Sequence, residues 1–104
     1  MFEVLKKLLG LKTTNYAQLM QDGAMIIDVR TPGEFSSGHI KNSINIPVDK
    51  LPHQLNKLKS KDKPIITCCA SGMRSAAAKN ILKSNGFAQV YNGGAWHSLQ
   101  NKIR

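Results

Sequence analysis

The 104-residue sequence holds no apolar run approaching the about 18 residues that a membrane span requires, only six acidic side chains, and only two cysteines. Each shortage excludes something. Without a long apolar run there is no membrane span, and because no small-residue cleavage site follows the N-terminal segment MFEVLKKLLG, the expectation is a soluble cytoplasmic protein. The two cysteines, Cys68 and Cys69, are neighbours. A trans peptide holds adjacent Cα atoms about 3.8 Å apart, closer than an ordinary disulfide allows, so they do not staple the fold. Free thiols of this kind suit a reducing compartment. Repeats, low-complexity tracts and linkers are missing too, which leaves one compact domain able to bury roughly 60 to 70% of its unfolded surface.

The scarcity of acids leaves the fifteen Lys and Arg in excess, a net charge of +9. That balance favours anionic small molecules or acidic partners. The lysines (Lys6, Lys7, Lys12, Lys41, Lys50, Lys57, Lys59, Lys61, Lys63) are spread out, with no basic block interleaved with aromatics, so solvated faces account for most of them and nucleic-acid binding is not expected.

What is present alternates between helical and extended patterns. Phe2, Leu5, Leu8 and Leu9 mark an amphipathic helix within residues 1–12, expected to pack on a domain spanning residues 13–104. Thr14 is a candidate cap for a second helix carrying Leu19 and Met20 and ended by Gly23. Ala24 to Val29, AMIIDV, is a continuous apolar run of the kind covered on both faces of a sheet. A polar turn through Thr31, Pro32 and Gly33 leads to an extended piece, Ser43 to Pro47. Leu51, Leu55 and Leu58 mark one helical face. Pro64 to Cys69, PIITCC, is a second buried strand, and Ser75 to Gly86 is the best helix, with Ala77, Ala78, Ile81 and Leu82 inward. Phe87 to Tyr91 is a third strand, and Trp96, Leu99 and Ile103 space a last helix. Strands separated by helices predict an α/β fold, a parallel sheet of four or five strands with helices on both faces, whose sites lie beyond the carboxyl ends of the strands. Cys69 falls at such an end.

Between Cys69 and the helix lie Ala70, Ser71, Gly72, Met73 and Arg74, with Ser75 at the helix start. A tight strand-to-helix loop can turn successive backbone N–H groups into a concave nest backed by the positive end of the helix dipole. Gly72 tolerates a positive φ, and Arg74 is a permanent cation with forked donors. An unperturbed thiol near pKa 8.5 is only about 3% thiolate at pH 7, and lowering it by about two units needs about 2.7 kcal/mol of preferential stabilisation of the anion. Helix N-termini and N–H bonds to a charged acceptor reach that size together. Cys68, one residue back along a strand, is assigned the opposite, buried face.

The pattern Cys69-Ala70-Ser71-Gly72-Met73-Arg74-Ser75 resembles the active loop of rhodanese-like sulfurtransferases, in which cysteine, two residues, glycine, one residue and arginine precede a serine or threonine. Asp28-Val29-Arg30, Glu34-Phe35, Gly38-His39-Ile40 and Asn45-Ile46-Pro47 resemble that family's upstream signature, and Gly93-Gly94 followed by Trp96 its closing motif. Cys68 stands where the family often has an aromatic or aliphatic residue, and Lys41 where it often has proline. The resemblance implies a rhodanese-like fold and a thiosulfate sulfurtransferase. In that reading Cys69 is the catalytic nucleophile that carries sulfur as a persulfide, and Ala70, Ser71, Gly72, Met73, Arg74 and Ser75 bind the substrate. It implies a small anionic sulfur donor, a thiol or cyanide acceptor that is a small molecule or a protein thiol, no cofactor or metal, and a monomer.

Two other functions share these residues. Related folds place a cysteine, a cradle loop and an arginine around oxyanions as phosphatases or arsenate reductases. The phosphatase pattern has five residues between cysteine and arginine, whereas four separate Cys69 from Arg74, a tighter cradle suited to a single sulfur atom. A non-catalytic binding module is the other alternative, against which the presence of both Cys69 and Arg74 argues. Asp28, Arg30, Glu34 and His39 are read as architecture, with an Arg30–Glu34 pair and Asp28 accepting loop hydrogen bonds. His53 and His97 lack ligand spacing and default to solvent. Gly93 and Gly94 are expected to make a turn, Trp96 to lie in the core, and Met73 to offer an apolar side chain at the pocket rim.

Overall fold

The structure, a computed structural model, describes residues 14–58 and 60–104. The helix expected over residues 1–12, with Phe2, Leu5, Leu8 and Leu9, lies outside the described residues. In chain order the elements are α1 (Tyr16–Gln21), β1 (Met25–Asp28), α2 (Pro32–Ser36), β2 (Ile44–Asn45), two 3₁₀ turns (Leu51–His53 and Leu55–Lys57), β3 (Ile65–Cys69), α3 (Met73–Ser84), β4 (Val90–Ala95) and α4 (Trp96–Ile103). The four strands form one parallel sheet in the order β2-β1-β3-β4.

The central strands β1 and β3 are the apolar runs MIID and IITCC, and every residue of β3 is buried. Strand alternation sends their side chains to two separate cores. Ile27, Ile65 and Cys69 join Leu51, Leu58, Ala78, Leu82, Phe87 and Val90 on the face covered by α3 and the 3₁₀ turns. Ile26, Ile66 and Cys68 join Leu99 on the other face, where Tyr16, Leu19 and Met20 of α1 and Trp96 and Ile103 of α4 pack against them. Adjacent cysteines on one strand therefore belong to opposite layers. Among the described residues no helix is long and apolar enough to cross a membrane.

Several local expectations are corrected. The cap of α1 is Asn15, not Thr14: its side-chain oxygen accepts from the Gln18 N–H at 3.0 Å. Thr31 and Pro32 open a helix rather than a plain turn, through a capping box in which the Thr31 hydroxyl accepts from the Glu34 N–H and the Glu34 carboxylate accepts from the Thr31 N–H. Leu51, Leu55 and Leu58 do not share an α-helix. Pro52 supplies no N–H and Gln54 leaves helical geometry, so the segment makes two 3₁₀ turns, although Leu51 and Leu58 still reach the core. Helix α3 begins at Met73, two residues before the expected Ser75, and within it Ala77 is exposed rather than inward.

Strand β4 starts at Val90 rather than Phe87 and continues through the glycine pair that was expected to turn. Space is the reason: a Cβ at Gly93 would lie 2.8 Å from each of Ile66 Cγ2, Leu99 Cδ2 and the Thr67 carbonyl oxygen. Thr67 pairs with Asn92 and Cys69 with Ala95, so β4 carries one extra residue there, a bulge beside the end of β3.

Candidate active site

Cys69 is the last residue of β3, and Gly72 is the N-cap of α3 with φ +104 and ψ −15, a left-handed conformation that favours glycine. That turn folds the chain back so that the Gly72 N–H donates to Cys69 Sγ at 2.9 Å. The N–H groups of Ser71 and Ser75 act on the same sulfur, and the Ser75 hydroxyl lies 3.6 Å from it. Because α3 starts at Met73, Ser75 occupies its third position, where a backbone N–H has no partner within the helix. Burial pushes the Cys69 thiol up; the Ser75 hydroxyl and the N–H groups of Ser75, Gly72 and Ser71 outweigh it and bring the thiol below its ordinary value. Cys69 itself has no exposed surface.

The structure thus gathers Cys69, Ser71, Gly72 and Ser75 around one sulfur. Ala70 and Ser71 are exposed, and Met73 is 81% exposed, its side chain turned to solvent. Arg74 sits at the loop, but its forked donors are engaged. Its Nη1 and Nη2 bond the two oxygens of Glu34 at 2.7 and 3.0 Å. Arg74 chiefly, with the Thr31 N–H, holds the Glu34 carboxyl down at about 2.

The expected Arg30–Glu34 side-chain pair does not form. Arg30 is buried, and its guanidinium is bonded to both oxygens of Asp28, with Nη2 to Oδ2 at 2.7 Å and Nε to Oδ1 at 2.9 Å. Its remaining donors reach main-chain oxygens of Glu34 and Gly38, at 3.2 and 2.7 Å. A buried carboxylate two residues away outcompetes a half-buried one four residues on, which leaves Glu34 to Arg74. Asn45 ties in β2 by donating to the carbonyls of Asp28 and Arg30 at 3.0 and 2.9 Å. Trp96 is only half-buried: its ring lies under the Arg30 guanidinium at 4.8 Å and against Gly38. His39 is exposed, stacked on Phe35, and both His53 and His97 face solvent.

Sequence reasoning missed Asn92. Its Oδ1 accepts from the Ser75 hydroxyl at 2.5 Å and from the Gly94 N–H at 2.9 Å, its Nδ2 faces the Gly72 carbonyl at 3.4 Å, and its own carbonyl accepts from Tyr16 at 2.9 Å. Asn followed by Gly reads as a turn, and nothing in the string announces that a bulged strand aims this side chain at the loop.

The sequence model of the Rhodanese-like domain family matches residues 12–98. Among curated proteins the chain is 41% identical over 69 residues to the uncharacterized protein YqhL of Bacillus subtilis, covering 66% of this chain and 54% of that protein. It is 36% identical over 95 residues to the tRNA uridine(34) hydroxylase of Escherichia fergusonii, covering 80% of this chain and 26% of that protein. The chain therefore spans about half the length of the first and about a quarter of the second. Among solved structures it superposes on a rhodanese with anions from E. coli with a TM-score of 0.68 and 29% identity, over 72% of this chain and 89% of that one. It superposes on the human single-domain sulfurtransferase TSTD1 with a TM-score of 0.70 and 25% identity, over 82% of this chain and 88% of that one.

Proposed function

The chain belongs to the rhodanese-like domain family, and on that premise we propose that it is a sulfurtransferase whose nucleophile is Cys69. The observation that carries this reading is the Cys69 sulfur at the end of β3, met by the Gly72 N–H at 2.9 Å at the start of a twelve-residue helix. The Cys69 thiolate attacks the outer sulfur of a donor such as thiosulfate. A new S–S bond forms, the old one breaks, and sulfite leaves with the bonding pair. The persulfide is anionic at neutral pH, so the donors that favour the thiolate also favour its sulfur-laden form. A thiol or cyanide then attacks the outer sulfur and returns Cys69 as thiolate, which divides one transfer into two steps.

Ala70, Ser71, Gly72, Met73, Arg74 and Ser75 form the binding loop in this reading. Gly72, Ser71 and Ser75 contribute N–H groups, while Arg74, paired with Glu34, holds the start of the helix to α2. Because Cys69 has no exposed surface, access of donor and acceptor requires a local opening beside the loop. Likeness to a single-domain sulfurtransferase and to a rhodanese with anions supports the choice. Hydroxylation of tRNA belongs to a protein more than three times this length and is not carried over.

The test is to mix the protein with thiosulfate, remove the excess and measure intact mass. One added sulfur atom is expected, lost in Cys69→Ser and kept in Cys68→Ser. Loading in both variants, or in neither, overturns the assignment, and cleavage of a phosphate ester without sulfur uptake turns it toward the oxyanion enzymes.

A further inference from the structure

The Ser75 hydroxyl has one hydrogen and three claimants: the Gly72 carbonyl at 3.0 Å, Asn92 Oδ1 at 2.5 Å and Cys69 Sγ at 3.6 Å. The orientation of the Asn92 amide is fixed by its neighbours, because the Gly94 N–H can only donate and the Gly72 carbonyl can only accept. Oδ1 must therefore face Gly94 and, with it, Ser75. The short contact to Asn92 takes the Ser75 hydrogen, and the lone pairs of Ser75 are left toward the thiol. A Cys69 S–H is welcome there; a thiolate or persulfide is not, until the Ser75 hydrogen swings away from Asn92.

We propose that Asn92 is a positioning residue that sets, through Ser75, how much hydrogen bonding the Cys69 sulfur receives. It competes with the sulfur for the one Ser75 hydrogen, so that the hydroxyl gives the anion less than it could and the thiolate stays less stabilised than the pocket would otherwise make it. A less stabilised thiolate is the better nucleophile, since reactivity rises with thiol basicity. The carbonyl of Asn92, anchored by Tyr16 of α1, and its place in the β4 bulge keep the side chain from following the serine. The ionisable groups around the pocket are the Arg74–Glu34 pair from α3 and α2, the Asp28–Arg30 pair at the end of β1, Cys68 on the opposite face and Tyr16 from α1; none of them bonds the Ser75 hydroxyl or the Asn92 side chain.

The inference deepens the sulfur-transfer reading, on which it rests only for its bearing on turnover. Its test is the pH dependence of Cys69 alkylation by iodoacetamide, read in wild type, Asn92→Ala, Ser75→Ala and the double variant. Asn92→Ala leaves the Ser75 hydrogen to the Gly72 carbonyl and the sulfur, of which the thiolate is the charged acceptor, and the midpoint falls by about one pH unit. In the Ser75→Ala background the same change shifts it by less than about a third of that. A rise in the midpoint, or equal shifts in both backgrounds, overturns the proposal and leaves Asn92 a loop anchor. Asn92→Asp supplies a second reading that keeps the acceptor. Its charge raises the midpoint in both backgrounds, and the rise is larger with Ser75 in place than in the Ser75→Ala background; equal rises overturn the proposal. Thiosulfate loading run beside these titrations separates the two ideas. A wild type that titrates as described yet never loads sulfur defeats the enzyme reading alone, whereas one that loads sulfur while Asn92→Ala leaves its midpoint in place defeats this one alone.

Discussion

Cys68 and Cys69 are both fully buried, lie on the same strand and share a peptide bond, yet burial, aided by the Asp28 carboxylate, pushes the Cys68 thiol up to about 12 while the Cys69 thiol is drawn below its ordinary value. Desolvation raises both thiols, Cys68 the more because it lies deeper, so burial alone does not bring Cys69 below its ordinary value. Fixed charge does not separate them in the expected sense either, since buried Arg30 lies on the Cys68 side and lowers that thiol only in part against burial and Asp28. The difference is donors. On the Cys69 face, β3 ends where a left-handed glycine and an early helix start turn N–H groups onto the sulfur. On the Cys68 face the donors of Arg30 are already bonded to Asp28 and to carbonyls of the α2 turn. Hydrogen-bond donors of the loop, rather than nearby cations, draw one thiol down, while its deeper neighbour has none and is pushed up.

The comparison breaks most visibly in alkylation. In native protein near neutral pH, iodoacetamide should modify Cys69 and leave Cys68 untouched, a selectivity of at least about a thousandfold from thiolate fractions alone. Mass analysis of the native and the unfolded protein reads one label against two. Equal labelling in the native state would show that the two faces are not distinct. Next in size is Asp28→Ala, which leaves the Arg30 guanidinium buried and unpaired and should cost about 3 to 5 kcal/mol in chemical denaturation. A loss below about 1 kcal/mol would mean that water reaches Arg30.

Gly72→Ala sharpens the other side. A side chain at φ +104 strains the turn by about 1 to 3 kcal/mol and displaces the N–H that meets Sγ, so the Cys69 midpoint in the alkylation profile should rise. An unchanged midpoint would remove Gly72 from the account. The smallest effect belongs to the Glu34–Arg74 tether between the two sides. The Glu34 carboxyl is held at about 2 against an ordinary 4.5, so the stabilisation it brings is complete above about 4.5 and disappears as pH falls toward 2. Glu34→Gln should therefore melt slightly below wild type at pH 6, and the two melting curves should converge at pH 2. A gap that persists at pH 2 would assign the difference to packing.

Much of this could be read from the string because local periodicity and composition carry it. The apolar runs at Ile26–Ile27 and Ile65–Ile66 demand a doubly covered sheet, and the alternation of strands and helices demands that it be parallel. The position of Cys69 at the end of such a strand, before the left-handed Gly72 and the start of a helix, was legible in the same way. The T-x-x-E pattern at Thr31 and Glu34, with proline at the first helical position, carried the signal of a capping box, yet the segment was expected to be a polar turn.

By itself, then, the sequence determined the layers, the strand that ends at Cys69 and the assignment of its two thiols to opposite faces, since each follows from residue type and a period of two. Only the tertiary structure decided which partner each charged or polar side chain takes. Arg30 belongs to Asp28, Glu34 to Arg74, and Ser75 to Asn92 as well as Cys69. Such pairings join segments up to 40 residues apart, and they are settled by which donors a bulge, a left-handed turn and a buried carboxylate have already claimed.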